Sequence, residues 1–381
     1  RGDKARRQSA VRHRHNPFKM NTSLFGGQPG HIQLLARLIA TPSHSREEHA
    51  TAGIIYDYLA AQGMQPRRTA NNVYAVAHGF DRHRPTLLLN SHHDTVRPAA
   101  GYTREPYTPV LENGAIYGLG ANDAGASVVS LTAVFGSLRH AALPFNLVLA
   151  ISAEEEVGGE NGMRALLPHL ASEGITPDCA IVGEPTGMRA AVAERGLVVL
   201  DAVTRGISGH AARGEGANAI YRAMSDIDAL RSFAFAERSE TLGDISLSVT
   251  QISAGKAHNV VPDECRWVAD VRTTDAYSNE DTIALLRKAV SSHTTLTERS
   301  PRVRASVIGR EHPLVQACER LGIDSFVSPT TSDMSLMHGF PSLKIGPGES
   351  CRSHTADEYV LLSEIEGAIE IYGKIITSLS L

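Results

Sequence analysis

The stretch TLLLNSHHDTV, residues 86–96, decides the fold. Thr86 to Ser91 form a near-continuous apolar run, the pattern of a strand buried on both faces. Such a strand needs parallel neighbours and covering helices, and the flanking sequence supplies both. Asn146 to Ser152 (NLVLAIS) is a second run of this kind, Cys179 to Val182 a third, and Val73 to Ala77 a shorter strand. Between Ala126 and His140, apolar Val128, Leu131, Val134, Phe135 and Leu138 recur at helical spacing. Ser45 and Glu48 are spaced as a capping box, opening a helix that stops at Gly63. Strands alternating with helices indicate a layered α/β domain.

From about Arg189 the texture changes. Leu197–Val203, Ile245–Ser253 and Cys265–Arg272 alternate with period two, as in a sheet wet on one face, and the helical stretches Asn218–Phe233 and Asn279–His293 are interleaved with them. With a further strand expected near Arg302–Ile308, the order resembles a ferredoxin-like unit. After it the helix–strand texture resumes, and Ser363 with Glu366 is spaced to cap a terminal helix. The expected organisation is an α/β domain, residues 20–188 and 300–381, interrupted by a smaller α+β domain at 189–299. Residues 1–19 carry seven Lys or Arg against one Asp, with no apolar segment, and are set apart as a basic tail or tag ahead of Met20. The sequon Asn21-Thr22-Ser23 carries no meaning without secretion.

A chain of 381 residues with 42% hydrophobic and 20% charged side chains is of ordinary globular composition and long enough for two cores. Its net charge of −4 gives no reason to expect a nucleic-acid or membrane partner, and no apolar run reaches the roughly 18 residues of a membrane helix. Cys179, Cys265, Cys318 and Cys351 form no CxxC pair and read as reduced thiols in a cytoplasmic protein.

Four segments then place acidic or imidazole groups just after buried strands or in a Gly-rich loop, where open α/β sheets bind ligands. In Ser91-His92-His93-Asp94, only one of the adjacent histidines can face a site. Asp94, two residues beyond His92, lies on the same side while extended geometry lasts, and carboxylates commonly orient metal-binding histidines. A polar strand end with a satisfied histidine is the alternative. Gly118-Leu119-Gly120-Ala121-Asn122-Asp123 imitates a dinucleotide fingerprint, but Asp123 stands in place of the third glycine and would repel a pyrophosphate. It suits a metal better. Glu154-Glu155-Glu156 ends the NLVLAIS strand, and consecutive carboxylates there either face solvent or are compensated by cations. Glu184 (VGEPT, 182–186) and His354 (RSHTADE, 352–358) complete a set of imidazoles and carboxylates suited to zinc.

These motifs, with GHAARGEGANAI (209–220), HNVVPDE (258–264) and KIGPGESCRSHTADEY (344–359), resemble the two-zinc amidohydrolase family of acetylornithine deacetylase, succinyl-diaminopimelate desuccinylase, aminoacylases and glutamate carboxypeptidase. The resemblance runs from about residue 30 to the C-terminus and is strongest to the acetylornithine deacetylase branch that includes acylcitrulline-cleaving enzymes. It implies two divalent ions, zinc first with cobalt or manganese as substitutes. One would be held by His92 and Glu184, the other by Glu156 and His354, with Asp123 between them. It also implies Asp94 as the orienting aspartate, Glu155 as general base and His210 as oxyanion support. Asn259 and Arg272 would grip the substrate carboxylate, and a homodimer would form through the inserted lid domain. The implied substrate is an N-acyl amino acid, N-acetylornithine or an N-acetyl- or N-succinylcitrulline, on the route to arginine. Succinyl-diaminopimelate desuccinylase and a dipeptidase or carboxypeptidase of the same family are alternatives, and a non-catalytic scaffold is disfavoured because every matched position is filled. One departure stands out: Ala124-Gly125-Ala126 follows Asp123 where many relatives have x-Lys-Gly.

Overall fold

The computed structural model describes residues 25–299 and 303–381, so the basic segment 1–19, Met20 and the sequon at Asn21 lie outside the described residues. A nine-stranded sheet runs, in spatial order, Arg67–Thr69, Asn72–Val76, Asn146–Ser152, Thr86–His92, Cys179–Val182, Ser342–Lys344, Ala190–Glu194 and Ser306–Val307, with Ser325–Ser328 also paired to Ala190–Glu194. Thr86–His92 lies parallel to both of its neighbours, and all seven of its residues are buried, as are all seven of Asn146–Ser152. The continuous apolar runs follow from that double burial. Leu87, Leu89, Leu147 and Leu149 face one hydrophobic cluster, while Leu88, Val148 and Ala150 face another on the opposite side.

The helix Ala126–Leu138 packs against Gly30–Ile39 and the C-terminal helix Leu362–Thr377, and ten of its residues are buried. Two expected caps are corrected. Helix His49–Ala61 has Glu48 as N-cap with no side-chain capping bond; Ser45 lies three residues before that cap, and its Oγ donates to Asp94 Oδ2 at 2.7 Å. The terminal helix starts earlier than Ser363 suggests, and Glu364, not Glu366, accepts the Leu361 N–H, at 2.8 Å.

The second sheet is antiparallel, in the order Ser246–Ala254, Glu264–Thr273, Gly196–Arg205, Thr294–Glu298, with helices Ala219–Arg231 and Asn279–Ala289 packed on it. This is the ferredoxin-like arrangement expected. Along Gly196–Arg205 burial alternates residue by residue, and the buried side chains join Trp267, Ile283 and Leu286 in a separate hydrophobic cluster. Its fourth strand is Thr294–Glu298, not the expected segment near 302–308. Thr294 and Leu296 point inward, and Thr294 Oγ1 lies 2.6 Å from Thr204 Oγ1 on the adjacent strand. Ser306–Val307 instead returns to the large sheet beside Ala190–Glu194, which belongs to that sheet too, although its sequence texture groups it with the insertion. No helix among the described residues is long and apolar enough to cross a membrane. Cys179, Cys265 and Cys318 are buried and unpaired, and Cys351 is exposed.

Candidate metal centre

Three adjacent parallel strands end at one place. His92 closes the central strand in register with Ser152, three residues before Glu155, and Glu184 follows Val182 by two. The Gly-rich loop crosses above them. Gly120 has φ +75°, and a Cβ there would lie 2.6 Å from Thr95 Cγ2, so only glycine lets this loop pack on the strand end that carries His92. Asp123 thereby sits over the strand ends. His354 arrives from the C-terminal segment.

The donor atoms converge in pairs around Asp123. Its Oδ1 is 3.2 Å from His92 Nε2, which is also 3.7 Å from Glu184 Oε1. Its Oδ2 is 3.6 Å from His354 Nε2, which is 3.0 Å from Glu156 Oε2. Zinc bonds of about 2.0–2.2 Å in tetrahedral geometry would separate neighbouring donor atoms by about 3.3–3.6 Å. The sets His92–Asp123–Glu184 and Asp123–Glu156–His354 therefore fit two ions that share one carboxylate. Glu155 stands beside them, its Oε2 4.0 Å from His92 Nε2, and also falls within a group with His92 and Glu156.

The electrostatics ask for cations. Burial pushes the Glu155 carboxyl well above its ordinary value against the pull of His92, and Glu184, Asp333 and Glu156 push it further. Burial likewise lifts Glu184, to about 8, with Asp123 and Glu156 adding to the rise. Burial alone would lower the His92 imidazole, but Glu184, Asp123 and Asp94 outweigh it and hold it well above its usual range. The carboxyls thus crowd a buried space where they cannot all ionise without added positive charge, a need that divalent ions would meet.

Asp94 does more than face His92. His92 Nδ1 lies 3.0 Å from the Asp94 carbonyl and 3.5 Å from its carboxylate. The carboxylate accepts the Glu155 and Glu156 N–H groups at 3.0 and 3.2 Å and the Ser45 hydroxyl. It therefore fixes the turn that presents both glutamates. Glu154, in the left-handed region at φ +57°, turns away, and its carboxylate accepts from the Asn161 N–H and side-chain amide at 3.2 and 2.9 Å. The three consecutive glutamates thus split between one structural carboxylate and two site carboxylates. His93 is buried, held by Thr51 and the Asn71 carbonyl.

Two further buried carboxylates, Glu358 and Asp333, stand near the cluster. Glu358 accepts the Gly120, Asn122 and Asp123 N–H groups at 3.0, 2.8 and 2.8 Å and so ties the loop of Asp123 to the segment of His354. Asp333, 3% exposed, accepts from Ser152 Oγ at 2.6 Å, and burial raises its carboxyl to about 6. Glu358 lay within a quoted motif, but nothing in sequence marks a carboxylate whose partners are backbone amides 235 to 238 residues away.

A cleft of about 500 Å³ opens beside the cluster, lined by Asp123, Glu155, Glu156, Glu184 and His354 and also by Arg189, Phe326 and Thr330. His210, Asn259 and Arg272 do not line it. His210 lies on Gly209–His210, paired with Val260–Val261, and its Nδ1 accepts from Ala212 N–H at 3.2 Å. The Asn259 carbonyl accepts from Ala211 N–H at 3.1 Å, and the Arg272 fork holds Asp270 through two bonds of 2.8 and 3.1 Å.

Fold and site together are those of a hydrolase. A family model, Peptidase family M20/M25/M40, matches residues 88–378, and the chain belongs to that family. Among its relatives are a succinyl-diaminopimelate desuccinylase from Paracoccus denitrificans, 29% identical with 91% of this chain and 98% of the relative covered, and an acetylornithine deacetylase from Erwinia tasmaniensis, 26% identical with 91% and 97% covered. The fold is shared with an aminopeptidase, PepT, from Bacillus cereus at a TM-score of 0.72 and 19% identity, covering 91% of this chain and 97% of that one. It is also shared with a dinuclear metal binding peptidase from Bacillus subtilis at 0.67 and 16%, covering 91% and 97%.

Proposed function

We propose that the protein is a cytoplasmic two-metal hydrolase that removes an acyl group from the nitrogen of an amino acid. The observation that carries this reading is the division of Asp123, with one carboxylate oxygen turned toward His92 and the other toward His354. In this reading His92 and Glu184 hold one ion, Glu156 and His354 the other, and Asp123 joins them. Zinc suits this mixture of imidazole and carboxylate, and cobalt or manganese could substitute. Bound there, the ions would polarise the amide carbonyl and bring the pKa of a water toward neutrality.

Glu155 then takes the proton of the attacking water and returns it to the leaving nitrogen, work worth about 10²- to 10⁴-fold. His210 supports the developing oxyanion, while Asn259 and Arg272 take the amino-acid carboxylate. Because these three lie on the inserted unit away from the cleft, they act from a closed lid or from a second subunit. A homodimer through that unit is favoured by its exposed apolar side chains Ile207, Tyr221, Met224 and Ile252 and by the edge strand Ser246–Ala254. The division of the chain into a catalytic domain and a lid inserted at about 189–299 belongs to the same proposal.

N-acetylornithine and N-acetyl- or N-succinylcitrulline, intermediates on the way to arginine, are the first substrates to test. N-succinyl-diaminopimelate is a second reading, favoured by the desuccinylase relatives. The experiment is a screen of N-acyl amino acids and dipeptides against the metal-loaded full chain. Metal-dependent release of the free amino acid supports the reading. Hydrolysis of dipeptides alone would replace it with a peptidase.

A further inference from the structure

The geometry points to Arg189 as the residue that selects the acyl group, by pairing with a carboxylate at the acyl end of the substrate. This rests on the deacylase reading and names its substrate class: N-acyl amino acids whose acyl group is a dicarboxylic acid joined through one end, as in succinyl.

The cleft walls carry five acidic side chains, Asp123, Glu155, Glu156, Glu184 and Glu349, and two basic ones, Lys344 and Arg189. Lys344 is already committed. It is 2% exposed, and its Nζ donates to Glu194 Oε2 at 3.0 Å and to the Thr330 carbonyl at 2.8 Å. Glu194, itself fully buried, is further held by Ser332. Arg189 is different. Among the described residues no carboxylate lies within ion-pair reach of its guanidinium, whose carbon stands 4.6 Å over the centre of the Phe326 ring. Glu349, the remaining acid on this wall, lies against Gly187 instead: a Cβ there would be 2.7 Å from its Oε1. Stacking on an aromatic face orders a guanidinium while leaving its N–H edge free, and that edge matches a carboxylate in two parallel bonds.

The half of the substrate it meets follows from what else lines the cleft. Every lining residue belongs to segments 123–189 or 326–354. The groups assigned to the amino-acid half, Asn259 and Arg272, stand on the inserted unit outside the cleft. The wall bearing Arg189 is therefore left for the acyl half. Its cation also disfavours an acyl group that ends in an ammonium, and an acetyl group has no terminal polar group to offer it.

The test compares the N-succinyl and N-acetyl derivatives of one amino acid on the metal-loaded full chain, wild type against Arg189→Gln and Arg189→Lys. Wild type is expected to favour the succinyl substrate in kcat/KM. In Arg189→Gln the succinyl-to-acetyl ratio should fall by about ten- to a hundredfold, the worth of a charged hydrogen-bonded pair. Arg189→Lys should recover part of the ratio, since it restores charge without the fork. In a binding measurement without turnover, free succinate should bind wild type more tightly than acetate, and Arg189→Gln should erase the difference. Equal kcat/KM for the two substrates in wild type, or an unchanged ratio in Arg189→Gln, would overturn the assignment and leave the deacylase reading intact. Failure to hydrolyse either substrate with metals bound would overturn both.

Discussion

Asp123 is the residue on which the proposed metal centre turns, because each of its oxygens faces a different imidazole. Replacing it with Ala removes the charge between two cations as well as a donor to each, so both affinities should fall. Calorimetric titration with zinc checks this, and two sites of unchanged affinity would remove Asp123 from the bridging role. Glu155 is expected to behave in the opposite way. In Glu155→Ala, metal content should stay close to that of wild type while turnover drops by about 10²- to 10⁴-fold. Elemental analysis alongside rate measurement separates the two: loss of both ions, or activity within about tenfold of wild type, would make Glu155 a ligand or a bystander. The pairing of His92 with Asp94 shows how far residue-level reading reaches. Their spacing by two in an extended strand places both on one side, and the structure brings them together. That the nearer acceptor is the Asp94 carbonyl, with the carboxylate turned to the Glu155 and Glu156 amides, depends on a loop 61 residues away.

At the scale of elements, the site is made by ends: three parallel strands, one Gly-rich loop and one C-terminal segment meeting over the large sheet. Glu358 is the tie between the last two. Glu358→Ala would leave three buried N–H groups without their acceptor, at about 1–3 kcal/mol each. Both a lower melting temperature and weaker zinc binding are expected, with Glu358→Gln recovering part of each because an amide oxygen still accepts. Zinc affinity unchanged in Glu358→Ala would show that the loop of Asp123 is held by other means. The buried strands were legible because burial on both faces leaves an uninterrupted apolar run, as in Thr86–His92. The strand Thr294–Glu298 was not, since TTLTE offers only Leu296 as an apolar inward residue and its other inward group, Thr294, is satisfied by a hydroxyl partner. The capping boxes failed because the helices begin elsewhere: Glu48, three residues beyond Ser45, is the N-cap of His49–Ala61, and Leu361 with Glu364 opens the terminal helix two residues before Ser363.

At the scale of the whole molecule, the proposed site is divided between a cleft in one unit and His210 in the other. If His210 acts across subunits, mixing a His210→Ala chain with a Glu155→Ala chain, each nearly inactive alone, creates mixed dimers in which one site has both groups intact. Activity should then return to a sizeable fraction of wild type. No recovery, with subunit exchange confirmed by a tagged chain, would place His210 in its own subunit's site. The central claim, that this cluster holds two ions which are needed to hydrolyse an N-acyl amino acid, is tested most directly by stripping the full chain with chelator and titrating zinc back while heat and amino-acid release are followed together. Two ions should bind per chain, with turnover absent at the start and appearing as the sites fill. Binding of fewer than two ions, or hydrolysis that persists in the stripped protein, would contradict it.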